Sequence, residues 1–155
     1  MKRGNLAWQV ILVLALVAVG YFCVFHFIER RRVAKGPWVV TFIAEGGDPA
    51  MVVNQPTLDI RDVRLVFAGE RGATNTSQSL EFSEARSVPF AVPFGQCVFL
   101  DTLFLPGTVT FEMFGHQIQL LPRVLTIDHV EHAWRSHETI PLARATNQPA
   151  AAPPR

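Results

Sequence analysis

From Leu6 to Phe27 the chain is apolar at every position but Gln9 and His26, each close to an end of the run. Wound as an α-helix rising about 1.5 Å per residue, those 22 residues match the roughly 30 Å hydrocarbon thickness of a bilayer. The pattern predicts a transmembrane helix over residues 6–28, between a basic head at 1–5 and a basic juxtamembrane linker at 29–36. Trp8 at one end and Tyr21 toward the other are expected interfacial aromatics, and Arg30, Arg31, Arg32 and Lys35 are placed to meet headgroups. A cleavable signal peptide is the competing expectation, since Lys2 and Arg3 resemble its basic start and Ala18-Val19-Gly20 offers a small-residue cleavage site. The seven mostly apolar residues that follow Gly20 favour a retained helix.

Past Pro37, which ends any continuing helix, the period falls to two. Trp38 to Ala44 is β-branched and aromatic and stops at Gly46-Gly47, as a strand does. In Thr57 to Phe67, Leu58 and Ile60 share one parity while Val63, Leu65 and Phe67 take the other, which predicts a bulge or tight turn at Arg61-Asp62. Residues 68–79 have the composition of a solvated loop. Ser87 to Phe94 alternates Val88, Phe90, Val92 and Phe94 around two prolines, which cannot donate to a ladder and therefore mark an edge strand. Further strands are predicted over Cys97 to Leu105, Thr108 to Phe114, Gln117 to Leu121 and Arg123 to Asp128, with Gly115-His116 as a two-residue type II′ hairpin turn. The expected fold is all-β: a small antiparallel β-sandwich or barrel over residues 37–142 behind a single N-terminal transmembrane helix. Residues 143–155, rich in proline and alanine, read as a disordered tail.

Charge divides the chain along the same boundary. Before Gly36 six basic residues face one acid, Glu29, whereas from Gly36 onward eight arginines and no lysine face twelve acids. The domain lacks the concentrated basic face that phosphate recognition requires, so nucleic acid is not an expected partner. The basic segment is set instead to meet the lipid bilayer. Counted literally, the Lys/Arg bias across the helix favours a cytoplasmic domain. A short basic head before an apolar helix is, however, the layout of an uncleaved signal anchor, and puts the domain on the extracytoplasmic side.

One stretch is dense in chemistry. Asp128 to Glu138 holds His129, His132 and His137 among carboxylates, ligand types that suit zinc or copper. In an extended chain His129 and His132 point to opposite faces, so a metal site there needs a turn; otherwise the segment is a polar final strand and its exit loop. Cys97 has neither a second nearby cysteine nor the His and Met spacing of a copper site, and is expected to be a buried, inert thiol. There is no GxSxG elbow and no Gly-rich loop in a strand-to-helix setting, so neither catalytic residues nor a cofactor is expected. Phenylalanines outnumber what one face of a small sheet can bury, and Phe90 and Phe94, on the proline-flanked edge, are the expected partner contacts. These features point to a membrane-anchored interaction or assembly module, an accessory subunit that touches the bilayer and another membrane or membrane-associated protein. A metal-handling domain built on the three histidines is the alternative.

Overall fold

The computed structural model describes residues 4–33, 35–44, 47–72 and 76–144; the first residues of the basic head and positions 145–155 of the expected tail lie outside the described residues. Helix α1, Gly4–Val33, carries the apolar run and continues through the arginine cluster. Its stretch Ala7–Arg31 is long and apolar enough to cross a membrane, and none of it is buried against the rest of the chain. Each large apolar side chain left in water forgoes about 1.5–3 kcal/mol of burial, a cost repeated along the whole helix unless something apolar surrounds it.

Behind the helix stand two β-sheets packed as a sandwich. The first strands are β1 (Trp38–Ala44), β2 (Ala50–Gln55), β3 (Ile60–Phe67) and β4 (Thr76–Phe82). They are followed by β5 (Phe90–Val92), β6 (Gly95–Leu100), β7 (Val109–Met113), β8 (His116–Leu120), β9 (Leu125–Ile127), β10 (Val130–His132) and β11 (Thr139–Leu142). One sheet has the order β11-β3-β2-β1-β4 and the other β10-β9-β8-β7-β6-β5. All neighbours are antiparallel except β11, which returns from the second sheet to lie parallel to β3.

Period-two patterning builds the core. Trp38, Val40, Phe42 and Ala44 of β1 and His116, Ile118 and Leu120 of β8 are buried, while the residues between them are half-buried. The sheets meet through aromatic edges: Phe111 of β7 lies T-shaped against Phe42 at 6.2 Å and Phe82 at 5.3 Å between ring centroids. Such pairs add about 0.5–1.5 kcal/mol each beyond the area they bury.

The expected irregularity at Arg61-Asp62 is present. Val53 pairs with Val63 and Gln55 with Ile60, so Arg61 and Asp62 together oppose Asn54. Asp62 takes a positive φ of 51°, and its N–H donates to Asn54 Oδ1 at 2.8 Å. Four expectations are corrected. Ala50–Gln55 forms a strand that the periodicity passes over, because five of its six positions are buried and no alternation survives. The supposed loop at 68–79 ends in β4, whose positions 77–79 are exposed, so that half of the strand carries no apolar pattern. Beyond Leu100 the chain leaves the sheet, and Leu103 and Phe104, read as strand, stand exposed in a loop. Finally, Met113 pairs with His116, so the hairpin turn is Phe114-Gly115. With φ of 50° and 83° that turn is type I′, in which Gly115 supplies the second left-handed position.

The junction between helix and sandwich is built on one buried side chain. Gln55, 1% exposed, directs its amide nitrogen at the carbonyls of Lys35, Gly36 and Pro37, 2.9–3.1 Å away. Its Oε1 accepts from the N–H of Thr57 at 3.0 Å, and the Thr57 hydroxyl lies between that oxygen and the Lys35 carbonyl. Gln55→Leu keeps the volume and strips the linker of these partners. The expected loss is about 1–3 kcal/mol, the usual cost of buried polar groups left unsatisfied, read as a lower urea midpoint of the detergent-solubilised full chain. Faster tryptic cleavage after Lys35 is expected in parallel.

Candidate functional site

The sandwich is open along one side, where the end strands of the two sheets, β4 and β5, face each other. Between them lies a cavity of about 210 Å³ lined by Leu80, Phe82, Glu84, Arg86, Phe90 and Leu100, among others. A second, of about 390 Å³, continues past Gln78, Ala91, Val92 and Phe94 and shares Leu80 and Arg86 with the first. The floor is apolar and the rim is charged. Arg86 sits with its guanidinium 5.5 Å from the centroid of the Phe90 ring, within cation–π range.

Local sequence sets this asymmetry. Pro89 and Pro93 hold β5 to three residues and deny its flanks backbone donors. Strand β4 is seven residues long without proline or lysine, and among the described residues it pairs only with β1, which leaves its outer row of backbone N–H and C=O groups open to another strand. Phe90 is half-buried in the groove. Phe94 is a lid on the core as much as a surface residue: it packs edge-on to Phe42 at 6.1 Å and stacks on Phe114 at 5.9 Å, held there by a φ of 70°.

The histidines expected to gather do not. His129 is the second residue of a two-residue turn, with φ of 67°. His132 ends β10 opposite Leu125, roughly 10 Å further along at the rise of a strand. His137 lies beyond the strand, its N–H donating to the Arg61 carbonyl at 2.7 Å and its Nδ1 3.5 Å from Asp62. Among the described residues no three His, Cys, Asp or Glu side chains converge on a metal-sized site.

The histidine with a built environment is His116, which sequence reasoning set down as a turn residue. Its Nδ1 is 2.6 Å from Asp128 Oδ2 and its Nε2 is 2.9 Å from the Ala143 carbonyl, while Asp128 Oδ1 accepts the Gln117 N–H at 2.9 Å. Both ring nitrogens are engaged, so neither is turned toward a reactant as a general base requires. The group is a latch that ties the exit of β11 to β8 and to the β9–β10 turn. The signal for it was parity, since His116 shares a face with Ile118 and Leu120.

Along the helix Trp8 and Tyr21 are exposed. Tyr21 stands about 15 Å from Arg31 along the axis at the usual helical rise. Arg30, Arg31 and Lys35 are exposed at the far end, with Arg31 4.7 Å over the Phe27 ring; the side chain of Arg32 lies outside the described ones.

Cys97 is fully buried, its thiol donating to the Phe99 carbonyl at 3.4 Å. Burial pushes the thiol up from 9.0 to about 11, against a smaller downward pull from the backbone of Phe99. The folded chain therefore keeps a proton that the unfolded chain gives up. Stability from this group is complete below pH 9.0 and is lost as pH rises toward about 11. In a Cys23→Ala background, a thiol reagent near neutral pH is expected to leave Cys97 unmodified in the native state and to label it fully in denaturant. Rapid native labelling would contradict the buried geometry.

No protein-family model, curated protein or solved structure matches the chain.

Proposed function

We propose that the protein is a single-pass, membrane-anchored β-sandwich acting as an interaction and assembly module, an accessory subunit of a larger membrane complex, with its domain on the extracytoplasmic side. The observation that carries this reading is the open side of the sandwich, where the outer edge of β4 runs beside a groove floored by Leu80, Phe90 and Leu100 and rimmed by Ser79, Glu81, Ser83, Glu84 and Arg86. A free edge of seven residues offers main-chain hydrogen bonds to an extended segment, and the adjacent groove takes alternate side chains from it. Proline-bounded β5 gives no comparable edge, so pairing is directed to one strand. The exposed apolar helix supports the anchor, because a chain surrounded by water would leave that surface uncompensated.

Gln78 and Ala91 line the groove and are exposed, so Gln78→Arg with Ala91→Arg adds two cations beside Arg86 while changing fold stability by no more than about 0.5 kcal/mol per site. Extracted from native membranes in mild detergent, the wild-type chain is expected to run within a larger assembly. The double variant is expected to fall to the free species with unchanged thermal unfolding, and Val130→Arg, an exposed position on the opposite edge strand, to remain assembled. A wild-type chain that runs alone would end this reading. A compartment-dependent reporter fused after Arg155 tests the orientation separately.

A further inference from the structure

The loop after β6 carries two large apolar side chains that none of the described residues covers: Leu103 and Phe104 are 66% and 61% exposed. They do not dangle. The Asp101 N–H donates to the Thr108 carbonyl at 2.9 Å, closing the loop at its base. Asp101 Oδ1 accepts the Leu103 N–H at 2.9 Å. Trp38, fully buried at the start of β1, donates its indole N–H to the Gly107 carbonyl at 2.7 Å. Gly107 is obligatory at that contact, since a Cβ there would lie 1.6 Å from the Asp101 carbonyl oxygen. Trp38 comes only one residue after the segment that Gln55 clamps, so the loop is braced to the same junction that holds the helix.

This bracing fixes where the apolar tip stands. Phe104, Leu105, Pro106 and Pro122 line one open cavity together with Arg31 and Lys35. Arg31 is four residues past Phe27, the last residue of the apolar run, or about 6 Å along the axis. A helix that buries its apolar run in lipid therefore carries Arg31 at the headgroup layer, and Phe104 with it. Bulky apolar residues beside cations at that depth have the composition of a lipid interface.

We infer that the Leu103-Phe104 loop is a second membrane contact, inserting into the headgroup and upper acyl region beside the helix while Arg31 and Lys35 meet anionic headgroups. The inference rests on the anchor reading above and deepens it, because two points of contact fix the tilt of the sandwich where a single helix leaves it free. The occupant is lipid because the patch is continuous with the end of the membrane-crossing segment.

The full chain with Cys23→Ala, reconstituted in vesicles of phosphatidylcholine and phosphatidylglycerol, carries a nitroxide in turn at Leu14→Cys, Leu103→Cys, Phe104→Cys and Val130→Cys. Power saturation compares collision with oxygen, which concentrates in lipid, and with a water-soluble nickel chelate. Labels at 14, 103 and 104 are expected to favour oxygen several-fold over the label at 130. Lipid exposure at 14 with water exposure at 103 and 104 overturns the second contact and leaves the anchor standing. Water exposure at 14 removes the anchor and this contact together. Labels at 103 and 104 shielded from both reagents would place protein on the loop and overturn lipid insertion.

Discussion

Everything proposed for this protein depends on how the helix is joined to the sandwich, and that joint is the buried amide of Gln55. Carbonyls at the end of a helix and in the linker behind it have no partners of their own and must be satisfied from outside. Here a single side chain from the end of β2 faces three consecutive linker carbonyls, and the next residue, Trp38, is already fully buried. From Lys35 the described chain reaches the core within three residues. The clamp thereby sets which end of the sandwich the linker meets. The 56–58 turn and the loops at 101–108 and 121–124 cluster at that end.

The same geometry explains why the two sheets close more tightly on one side than on the other. Strand β11 and the latch of His116, Asp128 and Ala143 bind the second sheet back to the first beside β3, and Trp134 lies tilted against Trp38 at 5.3 Å between ring centroids while its N–H donates to the Leu121 carbonyl. Among the described residues no strand pairing or side-chain hydrogen bond joins β4 to β5. The inward positions of β4 run Phe82, Leu80, Gln78, paired in turn with Trp38, Val40 and Phe42, so its apolar character fades toward the end away from the helix. That fading leaves the sandwich ajar with an apolar floor.

How much of this was legible in the sequence follows from which residues answer to one constraint and which to two. The long apolar helix and β1, β7 and β8 were legible because their patterns report a single apolar environment with its proper period. The bulge at Arg61-Asp62 was legible for the same reason, as a slip in parity. Strand β2 was not: flanked by Pro49 and Pro56, Ala50–Val53 is buried at both parities and shows no alternation. Strand β4 was hidden by Thr-Ser-Gln-Ser, polar because an edge strand there has little to bury against. Phe114-Gly115 was misjudged by one residue, which moved His116 from the strand into the turn and concealed the buried pair it makes with Asp128. Those two residues are twelve apart in sequence and meet only because β8 and β9 pair, which no local pattern carries.

The histidines show why residue type alone is a weak guide to chemistry in a β protein. A ligand set needs side chains on one face within a few ångströms, whereas a strand sends neighbours to opposite faces and advances about 3.3 Å per residue. His129, His132 and His137 fall at a turn, a strand end and a loop, so the chain that makes them close in sequence keeps them apart in space. His116 and Cys97 are the side chains that do have organised surroundings, and in both the surroundings hold the group in place: two acceptors on the imidazole, and desolvation with a carbonyl on the thiol. Among the described residues, what has no internal partner is the outer backbone edge of β4 and the apolar tip of the 101–108 loop. Groups of that kind are satisfied by another strand or by lipid, the two kinds of surface that the proposals above assign to them.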